Sequence, residues 1–66
     1  MEVTVNGQLK QVADGTTVAA LLHNLGIATK QVAVEVNLEL VPRDAQATRT
    51  LYDGDRLEVV TLVGGG

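Results

Sequence analysis

The sequence predicts an α+β fold in which one helix covers one face of a mixed sheet of four to five strands, and three observations lead there. Apolar and polar residues alternate in Met1–Asn6, and Leu57–Leu62 is a run of β-branched and apolar residues, both marks of strands. Between them lies a single amphipathic helical stripe, Val18, Leu21, Leu22 and Leu25 at i, i+3, i+4 and i+7, which has one apolar face to bury. Turn residues at Asn6-Gly7 and Tyr52-Asp53-Gly54-Asp55 punctuate these segments. Sixty-six residues allow one small domain. A chain of that size buries only about 60% of the surface its unfolded form exposes, so its core is modest and depends on regular packing.

In order, Met1, Val3 and Val5 fall on one side of the first strand and Glu2, Thr4 and Asn6 on the other. Asn6-Gly7 suits a type I′ turn, whose two central residues both need positive φ, so Gln8–Val12 returns antiparallel to the first strand. Asp14-Gly15-Thr16-Thr17 interrupts the strand pattern and supplies capping side chains for the helix, which Gly26 ends. His23 lies off the apolar stripe with no second histidine, cysteine or carboxylate beside it, and reads as a solvated helix residue. After a connection through Thr29, Lys30 and Gln31, alternation returns in Val32, Val34 and Val36 as a third strand. Asn37–Glu39 reads as a turn and Leu40-Val41 as a brief edge strand stopped by Pro42, which lacks the donor a central strand needs. Arg43–Thr50 reads as a polar, irregular surface excursion with one helical turn at most.

A final strand with apolar residues on both faces suits a central position in the sheet. Pairing it parallel to the first strand satisfies the usual crossover geometry, and the result is the β-grasp plan, a mixed sheet on one helix. The expected organisation is a folded domain over residues 1–62 and a flexible tail over residues 63–66. Three glycines, Gly64, Gly65 and Gly66, follow the last strand almost directly. Such residues carry a large ordering entropy and no packing side chain, so they make a slim peptide able to thread a narrow channel and deliver the carboxylate of Gly66 into another protein. A frayed terminus is the plainer reading of such a tail.

Composition narrows the function. A net charge of −3, a pI near 4.7 and a single aromatic residue, Tyr52, argue against nucleic acid, which calls for a basic face and stacking side chains. An acidic balance suits either a protein partner with a basic surface or simple solubility. Without cysteine there is no disulfide framework and no thiolate metal site. The sequence starts Met1-Glu2-Val3 without the basic and apolar pattern of a leader, and no apolar run reaches membrane-spanning length, so a cytoplasmic location is expected. No phosphate-binding loop or nucleophile–base pair is recognisable, which points away from an enzyme and from a bound cofactor. Asp53-Gly54-Asp55 lacks the spacing and later ligand of a calcium loop and reads as a turn.

With these residues in order, the chain resembles the ubiquitin-like family and, within its ThiS/MoaD branch, the sulfur carriers of thiazole biosynthesis. The resemblance covers the whole chain. It rests on Asn6-Gly7, Asp14-Gly15-Thr16-Thr17-Val18 ahead of a Leu-rich helix, Val34-Glu35-Val36-Asn37 leading to Val41-Pro42-Arg43, the Asp53-Gly54-Asp55 turn and the ending Val63-Gly64-Gly65-Gly66. It implies that an E1-like adenylating enzyme of the ThiF type, using ATP and magnesium, activates a terminal glycine carboxylate, which a sulfur donor protein then converts to a thiocarboxylate. It further implies that the sulfur passes to a thiazole synthase of the ThiG type, for the thiazole ring of thiamine. Carried onto this sequence, Gly66 is the modified residue, with Gly64 and Gly65 threading into the partner. A carrier for molybdopterin or another cofactor, a protein modifier conjugated through Gly66 to lysine amines, and a plain binding module are the alternatives. If Leu57, Val59 and Thr61 face the helix, then Glu58, Val60 and Leu62 face the other way. No second helix covers that face, so Val60 and Leu62 are expected as exposed apolar residues and a candidate partner surface, or else as ordinary scattered surface hydrophobics.

Overall fold

The computed structural model describes residues 1–62. Strands β1 (Glu2–Val5), β2 (Gln8–Gln11), β3 (Val32–Val36), β4 (Glu39–Val41) and β5 (Arg56–Thr61) form one sheet in the order β2-β1-β5-β3-β4. The helix α1 (Val18–Asn24) lies between β2 and β3 in sequence, and short 3-10 turns occupy Thr29–Gln31 and Arg43–Ala45. β5 runs parallel to β1, with Val5 opposite Leu57, and antiparallel to β3. The last strand is therefore central, as its composition predicts. The mixed five-stranded sheet with one helix is the β-grasp arrangement.

Local chemistry explains the connections. Asn6 and Gly7 sit at φ of +51° and +81°, which closes β1 and β2 with Val5 opposite Gln8. Helix α1 has seven residues, too few to persist alone in water, where roughly 12–15 are needed even for good helix formers. Its ends are therefore tied down. The Thr17 hydroxyl accepts from Ala20 N–H at 3.1 Å, while Val18 and Ala19 N–H donate to the carbonyls of Arg49 and Gln46 at 3.0 and 2.9 Å. At the other end Gly26 takes a φ of +74° that a side chain would strain. There Gly26 N–H reaches the His23 carbonyl and Ile27 N–H the Leu22 carbonyl, which satisfies the last turn.

One core joins the layers. Val3, Val5, Val32, Val34, Val36, Val41 and Leu57 from the sheet pack against Val18, Leu21 and Leu22 of the helix. Leu51 completes this core at 1% exposure. The polar segment 43–50 is thus more than a surface excursion. It carries two carbonyls that cap the helix, buries Gln46, pairs Thr50 with Thr17 and delivers Leu51 beneath the helix. The physical reason is that α1 needs acceptors at its N-terminus, and this segment is where the topology brings them. The turn after β3 is also tighter than expected. It consists of Asn37 and Leu38, and Glu39 already belongs to β4, opposite Val36.

Candidate functional site

The end of β5 is where the fold hands over to the residues at 63–66, and its anchoring is well defined. On the β3 side the ladder runs from Val36 opposite Leu57 to Val32 opposite Thr61, and Leu62 N–H extends it to the Gln31 carbonyl at 2.7 Å. On the β1 side Asn6 N–H donates to the Leu57 carbonyl at 2.9 Å. Beyond that point the Asn6 side chain takes over, accepting from Val59 N–H at 2.7 Å and donating to the Val59 carbonyl at 3.0 Å.

The two faces of β5 differ as a strand's period of two requires. Leu57 is buried and Val59 packs half-buried against the core, whereas Glu58, Val60 and Leu62 point away from the helix. Val60 is 59% exposed and Leu62 53%. Directly opposite on β3, Ala33 stands beside Val60 and Glu35 beside Glu58. The outer face therefore has an apolar end next to residue 63 and an acidic pair further along the same strands. A shallow concavity of about 320 Å³, lined by Asn37, Leu38, Arg56 and Glu58, lies beyond that pair. It brings together one carboxylate and one guanidinium, with no hydroxyl, thiol or imidazole among them.

The remaining sequence candidates fall as follows. Gly64, Gly65 and Gly66 lie outside the described residues. His23 is exposed on α1. The carboxylates of the turn after Leu51 serve the main chain: Asp53 accepts from Glu2 N–H at 2.7 Å, and Asp55 from Tyr52 N–H at 2.8 Å and from the Asn37 side-chain amide at 3.0 Å. Among the described residues no three His, Cys, Asp or Glu side chains gather as metal ligands would, and no helix is long and apolar enough to cross a membrane. The role of the Asn6 side chain is not legible in the sequence. Its only local signal was that the first turn position is Asn, which serves the turn by itself.

Comparison with known proteins accords with this architecture. The ThiS family profile matches residues 3–66. The chain is 33% identical over 66 residues to the sulfur carrier protein ThiS of Escherichia coli, with both chains covered completely. It is 44% identical over its whole length to a thiazole synthase of Paramagnetospirillum magneticum, of which it spans only 20%. Among solved structures, the thiamine biosynthesis protein (ThiS) of Geobacter metallireducens superposes over the full length of both chains with a TM-score of 0.85 at 39% identity. The chain belongs to the ThiS family.

Proposed function

We propose that this chain is a sulfur carrier of thiamine biosynthesis that holds sulfur as a thiocarboxylate on Gly66, delivered by Gly64 and Gly65 into the active sites of its partners. The observation that carries the reading is the anchoring of β5 on both sides almost to its end, with Leu62 still bonded to Gln31 four residues before Gly66. A short glycine segment leaving a fixed strand reaches a defined distance, and bare backbone passes where side chains would not.

The chemistry requires outside help. A carboxylate resists nucleophiles, so its oxygen must first attack the α-phosphate of ATP, displacing pyrophosphate and giving an acyl adenylate whose AMP is a good leaving group. Sulfide-level sulfur supplied by a donor protein then attacks the acyl carbon, and AMP leaves. The resulting thiocarboxylate stays ionised at neutral pH and is itself a nucleophile, so the carrier needs no cysteine. ATP and magnesium belong to an E1-like activating enzyme of the ThiF type. The acceptor is a thiazole synthase of the ThiG type. In support, a protein named thiazole synthase contains a segment 44% identical to this whole chain, and joined chains commonly act on one another. Val60 and Leu62, exposed beside the tail, form the docking surface for both partners.

Intact-mass and peptide mass spectrometry after incubation with the activating enzyme, ATP and a sulfur donor tests this reading. Replacement of one oxygen by sulfur at Gly66 is expected, and deleting Gly66 or extending the chain beyond it should abolish the product while leaving the fold intact. Sulfuration of an extended, untrimmed chain overturns the mechanism. An isopeptide to lysine in material from native cells would instead identify a protein modifier.

A further inference from the structure

The two sides of β5 are held by different means. Toward β3 the main-chain ladder continues to Thr61 and, through Leu62, to Gln31. Toward β1 it stops with Asn6 N–H on the Leu57 carbonyl, because at Asn6 (φ +51°) the chain turns into the hairpin. The next groups on that side, Val59 N–H and C=O, would then face solvent. Instead the Asn6 amide occupies both, at 2.7 and 3.0 Å. A carboxamide presents one acceptor and a donor side by side, as a peptide unit does, so Asn6 replaces one missing residue of β1.

We infer that Asn6 is a positioning residue for the tail: by clamping Val59 it keeps the end of β5 in the sheet and fixes the point from which residues 63–66 depart. This role rests on the proposed function. Position 6 meets two demands at once. The turn needs positive φ, which Gly, Asn and Asp all tolerate, but of these only Asn also supplies a neutral donor and acceptor to Val59. Without the clamp, β5 past Leu57 is held on the β3 side alone, and its end must be reordered whenever the tail is threaded. Ordering a single residue's backbone amounts to about a tenfold change in an equilibrium.

Two variants separate the clamp from the turn. Asn6→Gly keeps the positive φ and removes the amide, whereas Asn6→Asp keeps the turn and sets a carboxylate against the Val59 carbonyl. Amide hydrogen exchange of the whole chain is followed at Val59 and Leu62, with Val34 as a core reference, alongside kcat and KM for adenylation by the activating enzyme. In Asn6→Gly exchange at Val59 and Leu62 is expected to speed up about tenfold with Val34 unchanged, and kcat to fall about tenfold with KM held, since the docking face is untouched; Asn6→Asp keeps an acceptor for Val59 N–H, loses only the donor to the Val59 carbonyl and is expected to fall between the unaltered chain and Asn6→Gly. Unchanged exchange at Val59 overturns the clamp. Faster exchange with unaltered kcat overturns the positioning role, and so does faster exchange at Val34 as well, which assigns Asn6 to global stability. Failure of the unaltered chain to be adenylated is a distinct result: it overturns the proposed function and the positioning role with it.

Discussion

Leu38 occupies the second position of the β3–β4 turn at φ +70°, with Asn37 before it at +52° and its own side chain 87% exposed. Left-handed backbone costs an L-residue with a bulky side chain roughly 1–2 kcal/mol, and a side chain this exposed recovers little by burial. Leu38→Gly is therefore expected to raise stability by about 0.5–1 kcal/mol, the relief of strain exceeding the added unfolded-state entropy. Thermal unfolding checks this, and a lowered Tm would mean that the leucine makes a stabilising contact. Neighbouring residues show the opposite economy. Asn37 accepts from Arg56 N–H and donates to Asp55, each at 3.0 Å, so one amide joins the hairpin to the lead-in of β5. Under the proposed threading of residues 64–66 into the activating enzyme, Gly65→Val is expected to fold normally and activate poorly, because a β-branched side chain would obstruct a channel that admits bare backbone. Normal thiocarboxylate formation by that variant would remove the threading argument.

Among the elements, α1 depends most on its surroundings. Seven residues gain little from helix propagation, and the Thr17 cap together with the carbonyls of Gln46 and Arg49 satisfies its first turn. Thr17→Ala is expected to cost about 1 kcal/mol, read as a shift in the urea midpoint at unchanged slope. β5 makes the complementary case, since its inner face is core and its outer face is free of it. Val60→Asp is expected to alter stability by less than about 1 kcal/mol, within the usual range of strand preference at an exposed site. The same substitution should weaken capture by the activating enzyme and by thiazole synthase at least about tenfold, for it places a charge in the apolar end of the proposed docking face and beside a surface already acidic at Glu35 and Glu58. Titration calorimetry decides it: a folded variant that binds both partners normally removes this face from the interface.

The described residues share a single core. At roughly 0.05–0.15 kcal/mol per residue, a domain of this length has a total stability of about 3–10 kcal/mol. Leu51 is fully enclosed by that core and reaches it from an irregular segment. Leu51→Ala is expected to cost about 2–5 kcal/mol, a large share of the total, and to leave much of the protein unfolded at physiological temperature. Circular dichroism against temperature tests this, and a loss under 1 kcal/mol would show that the core collapses around the gap.

Features that depend on near neighbours can be read from the chain alone. The alternation of Val3 and Val5, the spacing of Val18, Leu21, Leu22 and Leu25, the Asn6-Gly7 turn and the stop at Gly26 all specify main-chain conformation over a few residues, and the observed strands, helix and turns follow them. The family pattern was equally legible, because it lies in which residues stand in which order along the chain. Which polar residues serve the interior depends on contacts between segments far apart in the chain. Gln46 and Arg49 look like parts of a surface loop until α1 is placed beside their carbonyls with donors to satisfy. Asn6 looks like a turn residue until Val59, 53 positions later, is brought beside its amide. A side chain's hydrogen-bond partner is set by topology and register, and a pattern read over a handful of residues carries no information about contacts at that separation.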